Sequence, residues 1–184
     1  MDTSEHGSMN HGKIRYGILT ASDSGARGER VDASGQAIRD IVEGPEAGPA
    51  RGVVAHYVIV ADDPVVIARE LSDMADNRGI DVILTTGGTG LSPRDNTPEA
   101  TYAVIEREVP GIAEAMRQAG MKATPHAMLS RQAAGVRGQC LIINMPGSPK
   151  AVKESLDVIL PALPHAVEVL RGRARDCARL RGEG

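Results

Sequence analysis

Three apolar runs, each feeding a short polar loop and then a helical pattern, constrain this chain more than any other feature. Lys13–Ala21 (KIRYGILTA), Val53–Val60 and Asp81–Thr86 read as strands. Between the first two, Asp32 can cap a helix through about Glu43, with Ile38, Ile41 and Val42 on one side. Gly44–Pro49 reads as a loop. Between the second and third runs, Asp63 fits a cap and Pro64 a first helical turn. Ile67, Leu71, Met74 and Ala75 then recur at i, i+4, i+7 and i+8 until Asn77–Gly79 ends the helix. The third run is nearly all apolar, as a strand buried on both faces should be. A β-α-β-α-β order with short connections favours a parallel sheet with right-handed crossovers.

Downstream, Pro98–Glu108 reads as a helix, broken by Pro110-Gly111, and Ile112–Ala119 as another. Met121–Gly138, with Gly135 and Gly138, suggests a short strand with an irregular return. Gln139–Asn144 is a last core strand. Ser148 can cap, and Pro149 start, a helix that buries Val152, Leu156, Ile159 and Leu160; Pro164–Leu170 forms a final one. The 184 residues suit a single domain, expected over 13–170. Residues 1–12 read as a loose polar tail and 171–184, rich in Arg, as a solvated one.

Composition narrows the function. A formal net charge of -3 argues against a nucleic-acid binder, which shows a basic excess. Three Tyr with no Phe or Trp leave almost nothing on which to stack bases. A flat heterocyclic ligand would therefore lie against aliphatic side chains and peptide planes. Cys140 sits in an apolar run, Cys177 in a charged tail, and the five His are scattered, so neither a disulfide framework nor a zinc site is expected. No apolar run reaches the ~18 residues that span a bilayer, and the first twelve residues lack a signal core. A soluble, cytoplasmic protein is the expectation.

The chemistry gathers after the third strand, in LTTGGTGLSPRDNTPEA (84–100). Gly87, Gly88 and Gly90 allow a tight turn and bring bare N–H groups close to a ligand. With the hydroxyls of Thr85, Thr86 and Thr89 they make a concavity suited to phosphate. Thr97 reads as a helix cap, followed by Pro98 and Glu99. Three further polar loops follow apolar runs: Ser22-Asp23, Asp62-Asp63 and Pro146–Lys150. In a parallel sheet such loops converge on one edge. Asp62 and Asp95 offer hard oxygens, and Mg²⁺ takes one or two carboxylates plus phosphate oxygens and waters. The set therefore suggests Mg-assisted phosphoryl or nucleotidyl transfer. Each part has a plainer reading: Asp63 as a simple cap, Arg94 and Asp95 as a surface ion pair, Ser148 and Pro149 as a helix start. Neither a P-loop, nor G-x-G-x-x-G, nor G-x-S-x-G is present.

TTGGTG, Arg94-Asp95, Thr97-Pro98-Glu99-Ala100, Leu129-Ser130-Arg131 and Pro146-Gly147-Ser148-Pro149-Lys150-Ala151-Val152 together resemble the molybdopterin adenylyltransferases. This is the MogA/MoaB group, related to the gephyrin G domain, and the resemblance runs from about Lys13 to Leu170. It implies a three-layer α/β/α sandwich with a mostly parallel central sheet, assembled as a homotrimer or a hexamer. It also implies Mg²⁺, with ATP and molybdopterin as substrates: AMP is transferred to molybdopterin, pyrophosphate leaves, and a molybdenum insertion protein receives the product. The family's two essential Asp residues match Asp62 and Asp95; Ala61 stands where the family commonly has Pro. Binding residues carried over are Ser22, Asp23, Thr86, Gly87, Gly88, Thr89, Gly90, Ser130, Arg131, Pro146, Gly147, Ser148 and Lys150.

The attacking group would be a phosphate monoester, mostly dianionic at neutral pH because its second pKa is about 6. It needs no dedicated His base, only cancelled repulsion and in-line placement. A different reading is a carrier that holds molybdopterin without adenylylating it. Retention of both Asp62 and Asp95 favours the enzyme.

Overall fold

In a computed structural model, which describes residues 12–172, the elements run in the expected alternation. β1 (Ile14–Ala21) leads to a four-residue turn of helix α1 (Asp23–Ala26), then α2 (Ala33–Glu43), β2 (Gly52–Val60), α3 (Pro64–Asn77) and β3 (Val82–Thr86). There follow α4 (Thr97–Tyr102), β4 (Arg107–Glu108), α5 (Pro110–Met121), β5 (Ala134–Arg137), β6 (Cys140–Met145), α6 (Pro149–Ile159) and α7 (Leu163–Leu170). Three short 3-10 segments, Pro45–Ala50, Pro125–Leu129 and Leu160–Ala162, join them.

The helix starts follow side-chain chemistry. Asp32 accepts from the Gly35 N–H, Asp63 from those of Val65 and Val66, and Ser148 from that of Ala151. Each satisfies an otherwise orphaned donor, and Pro sits in the first turn of α3 and α6, where no N–H is missed.

The six-stranded sheet has the order β2-β1-β3-β6-β5-β4. The first four strands are parallel; β5 runs antiparallel to β6 and to β4. Alternate side chains feed two cores. Tyr16, Ile18, Val82, Leu84 and Ile143 pack with Ile38 of α2 and Val152 and Leu156 of α6. Leu19, Ile83 and Ile142 pack with Ile67, Leu71 and Met74 of α3. Helices on both faces of a buried sheet make the three-layer architecture. From β1 the chain crosses by α2 to β2 on one side, then by α3 to β3 on the other. The gap between the carboxyl ends of β1 and β3 is therefore a topological switch point.

Several expectations are corrected. Gly44–Pro49 is not a plain loop but leads a 3-10 turn that buries Ala47 and Ala50. The helix expected over Pro98–Glu108 stops at Tyr102, because the following backbone joins the sheet. Glu106 N–H donates to the Val136 carbonyl and Val109 N–H to that of Ala134. Thr97 is not the cap: α4 starts from Asn96, and the Thr97 hydroxyl donates elsewhere. Arg171, expected in a solvated tail, makes a two-pronged ion pair with Asp81, Nε to Oδ1 at 2.9 Å and Nη2 to Oδ2 at 2.6 Å. Residues 1–11 and 173–184, which hold most of the two expected tails and Cys177, lie outside the described residues. Among the described residues no helix is long and apolar enough to cross a membrane.

Candidate functional site

β3 ends at Thr86, and the chain turns at once through Gly87 (φ 92°) and Gly88 (φ 63°), both in the left-handed region that favours glycine. Crowding demands glycine as well. A Cβ on Gly87 would lie 2.3 Å from the Ala21 carbonyl oxygen, and one on Gly88 2.3 Å from Thr97 Oγ1. The turn is tied on both sides. Thr86 Oγ1 donates to the Pro146 carbonyl at 2.7 Å, joining the ends of β3 and β6. Thr97 Oγ1 donates to Gly87 O at 2.9 Å, and Thr97 N to Gly88 O at 3.1 Å. Thr86 and Thr89 are buried, so they shape the loop from beneath. Below them Asn144 Nδ2 donates to Thr85 at 3.1 Å and Thr101 at 2.8 Å, pinning β3, β6 and α4 together.

A cavity of about 210 Å³ opens at the switch point. Three of the expected residues, Ser22, Gly87 and Gly147, line it together with Thr20, Asp32 and Ser34. Arg30 and Val31 form its rim, Val31 at 87% exposure. The first turn of α2 and Pro149 at the start of α6 both border it, so two positive helix ends face the same space. Asp32 does more here than cap a helix. Besides the Gly35 N–H at 2.8 Å, its carboxylate accepts from Tyr57 at 2.6 Å, from Ser34 at 3.1 Å and from Thr20. Burial pushes the Asp32 pKa up, but these donors outweigh it and hold the group below the usual carboxylate range. Arg39 lies over the Tyr57 ring, 4.8 Å from its centroid, extending the network. Sequence reasoning missed Arg30, Ser34 and this wider role of Asp32. The available signal was D-A-S-G at a helix start, where three short polar or bare positions follow one loop.

The acidic residues form a neighbouring cluster. Asp23 N donates to Asp62 Oδ2 at 2.9 Å, and Asp62 N to Asp23 Oδ1 at 3.0 Å. Arg94 pairs with the second oxygen of Asp23, not with Asp95. The Asp62 N–H, and then Arg94 and Arg27, keep the Asp23 pKa below its ordinary value against the opposing effect of burial. Asp23 thus ties the loop after β2 to the segment carrying Asp95. Asp95 Oδ2 accepts from Ser92 N at 2.8 Å. Oδ1 of Asp62 and Oδ1 of Asp95 accept no hydrogen bond among the described residues. Each carboxylate therefore keeps one hard oxygen for a cation. Among the described residues no group of three or more His, Cys, Asp or Glu could hold a metal, so a divalent ion here would draw its other ligands from phosphate and water. Asp63 is the simple cap of α3.

Ser148 caps α6. The Lys150 side chain is 84% exposed, with Nζ 3.9 Å from Glu154. Ser130 Oγ is buried and has no hydrogen-bond partner among the described residues. Arg131 spends its donors on the glycine loop: N to Thr89 O at 2.9 Å, Nε to Gly90 O at 2.7 Å, and Nη2 to Asp95 O.

Residues 17–165 match the profile of the family described as "probable molybdopterin binding domain". The molybdopterin adenylyltransferase of Helicobacter pylori (strain J99) is 43% identical over 159 residues, which cover 86% of this chain and 89% of that protein. Gephyrin of Dictyostelium discoideum is 40% identical over 164 residues, 86% of this chain and 23% of its own length. Among solved structures, the molybdopterin biosynthesis enzyme MoaB of Thermus thermophilus superposes with a TM-score of 0.79 at 54% identity, covering 86% of this chain and 97% of that one. With the glycine turn, the cavity at the switch point and the paired acidic loops in hand, the chain belongs to the molybdopterin-binding family that includes the molybdopterin adenylyltransferases.

Proposed function

We propose that this protein transfers AMP from Mg-ATP to the phosphate of molybdopterin. An oxygen of that phosphate attacks the α-phosphorus of ATP; the bond from the α-phosphorus to the bridging oxygen breaks, and pyrophosphate leaves with the electron pair. Asp62 and Asp95 would hold Mg²⁺, which supplies cancellation of polyphosphate charge. The chain's own part is positional. Bare N–H groups of the glycine turn, the first turns of α2 and α6, and the Pro146–Lys150 segment receive phosphate oxygens. Ser22 and Ser34 line the same cavity. No side-chain nucleophile is required, since the attacking phosphate is already ionised.

The observation carrying this reading is the convergence of two chemistries on one sheet edge: a glycine-lined cavity between β1 and β3, and carboxylates 62 and 95 linked through Asp23 and Arg94. The test is incubation with ATP, Mg²⁺ and molybdopterin, followed by assay of adenylylated pterin and pyrophosphate. Asp62→Asn and Asp95→Asn should each abolish transfer while leaving pterin binding intact. Molybdopterin binding without any ATP-dependent product would assign the chain to carriers instead. The product passes to a molybdenum insertion protein in the cytoplasm. For assembly the proposal is a homotrimer, consistent with Leu91, Tyr102, Met128 and Leu129 being at least half exposed. Light scattering should give three chains, or six; a clean monomer would refute it.

A further inference from the structure

Because β5 runs against its neighbour β6, the chain enters it from the same sheet edge at which β3 ends. Residues just before Ala134 therefore travel beside the glycine turn. Arg131 sits there and reaches three separate pieces of backbone. Its own N–H donates to Thr89 O at 2.9 Å, Nε to Gly90 O at 2.7 Å and Nη2 to Asp95 O. Nη1 pairs with Glu99 in the first turn of α4. For Glu99, burial pushes the pKa up, but the Arg131 guanidinium and then Glu99's own backbone N–H outweigh it and hold the group below its ordinary value. Three of these four acceptors are neutral carbonyls, so the arrangement fixes geometry far more than it balances charge. The planar guanidinium fork holds several acceptors at set angles, which a Lys ammonium cannot reproduce.

We infer that Arg131 is a positioning residue: it locks the glycine turn, the Asp95 peptide and the start of α4 into one body and does not itself touch substrate. The inference rests on the proposed reaction, in which Asp95 holds the Mg²⁺ of Mg-ATP. Its other local ties are few: Ser92 N to Asp95 Oδ2, and Asp95 N to Ser92 O at 2.9 Å. Without the Arg131 guanidinium the Asp95 peptide loses its tie to Gly90, and the segment stays joined to the turn only through the Thr97 bonds to Gly87 O and Gly88 O. Misplacements of about 1 Å can cost on the order of 100-fold in rate, and loss of residues supporting a metal ligand commonly costs roughly 10–100-fold in metal affinity or activity.

The experiment compares wild type, Arg131→Lys and the milder Glu99→Gln. Steady-state AMP transfer is titrated with Mg²⁺, molybdopterin affinity is measured by calorimetry, and amide hydrogen exchange is followed across residues 87–99. For Arg131→Lys we expect a rise of about tenfold in the Mg²⁺ needed for half-maximal rate, kcat down roughly 10–100-fold, and a smaller loss of molybdopterin affinity through the loosened turn. Exchange should quicken across 89–96 and stay unchanged in β1 and β3. Glu99→Gln should shift the same quantities less. Loss of molybdopterin affinity with an unaltered Mg²⁺ response would overturn the inference and make Arg131 a substrate contact. An unaltered Mg²⁺ response and unaltered exchange would overturn it outright. Absence of AMP transfer by the wild type would refute the proposed reaction instead, while hydrogen exchange would still decide whether Arg131 holds the loop.

Discussion

Asp23 and Asp62 exchange hydrogen bonds: each carboxylate accepts the other's backbone N–H, at 3.0 and 2.9 Å. Two loops 39 residues apart are thereby joined by a pair of charged acceptors. Like charges in contact would repel, yet here each accepts from a peptide donor, and Arg94 lies on the far oxygen of Asp23. The Asp62 N–H is the largest single cause of the lowered Asp23 pKa, and Arg94 adds to it through both its hydrogen bond and its charge. Arg94→Ala should therefore raise the Asp23 pKa only part of the way to its ordinary value, measured by carboxyl-carbon NMR titration. A full return would mean that the peptide donor contributes nothing.

Gly88 tests the turn. Gly88→Ala combines a left-handed φ with a Cβ placed 2.3 Å from Thr97 Oγ1. Unfavourable backbone of this kind costs about 1–3 kcal/mol, before the clash is counted. Phosphate-bearing ligands should bind at least tenfold more weakly by calorimetry. Adding Thr97→Ala removes the obstructing hydroxyl, but it keeps the φ and gives up the bond from Thr97 Oγ1 to Gly87 O, so denaturation should show at most partial recovery of stability. Complete recovery would show that the backbone is unstrained.

At the opposite edge of the sheet, Asp81 takes Arg171 on both oxygens and also the Arg15 N–H at 2.8 Å. Its side chain is only 12% exposed. Removing one partner of such a pair leaves a charge with poor hydration, so Arg171→Ala should cost about 2 kcal/mol in urea denaturation, below the range for fully buried pairs. A change below ~0.5 kcal/mol would mean the guanidinium is effectively solvated.

Acid should act through Asp32. Its folded pKa is depressed, so its contribution is complete above the unfolded value near 3.9 and is lost as pH falls toward the lower folded value. Stability should thus decline below about pH 4. Tyr57→Phe, which deletes the 2.6 Å donor, should cost about 1 kcal/mol at neutral pH and flatten that decline. An identical acid slope in the variant would separate Tyr57 from the titration.

What the sequence showed was governed by local rules. The strands at 14–21, 52–60 and 82–86, and the caps Asp32, Asp63 and Ser148, follow from hydrophobic period and short-range hydrogen bonding. The glycine turn was equally legible, because its φ values favour glycine and its crowding excludes a Cβ. What was missed depends on partners far away in the chain. The 107–108 segment is helical by pattern, yet its backbone is claimed by residues 134–136. Arg94 looked like the partner of its neighbour Asp95 and instead reaches Asp23, 71 residues away. Arg131 reaches Gly90 across 41 residues and Arg171 reaches Asp81 across 90. Long guanidinium side chains choose acceptors that only the tertiary fold brings near.

The hairpin between β5 and β6 turns at Gly138, φ 55°, at the amino end of β6. A six-residue strand spans roughly 17–20 Å, which separates that tip from the carboxyl edge where β6 reaches Pro146. A fluorophore or peptide graft inserted at this tip would have open space around it and a full strand length between it and the chemistry. The same reversal that brings Arg131 to the working rim thus leaves a port for labelling on the far one.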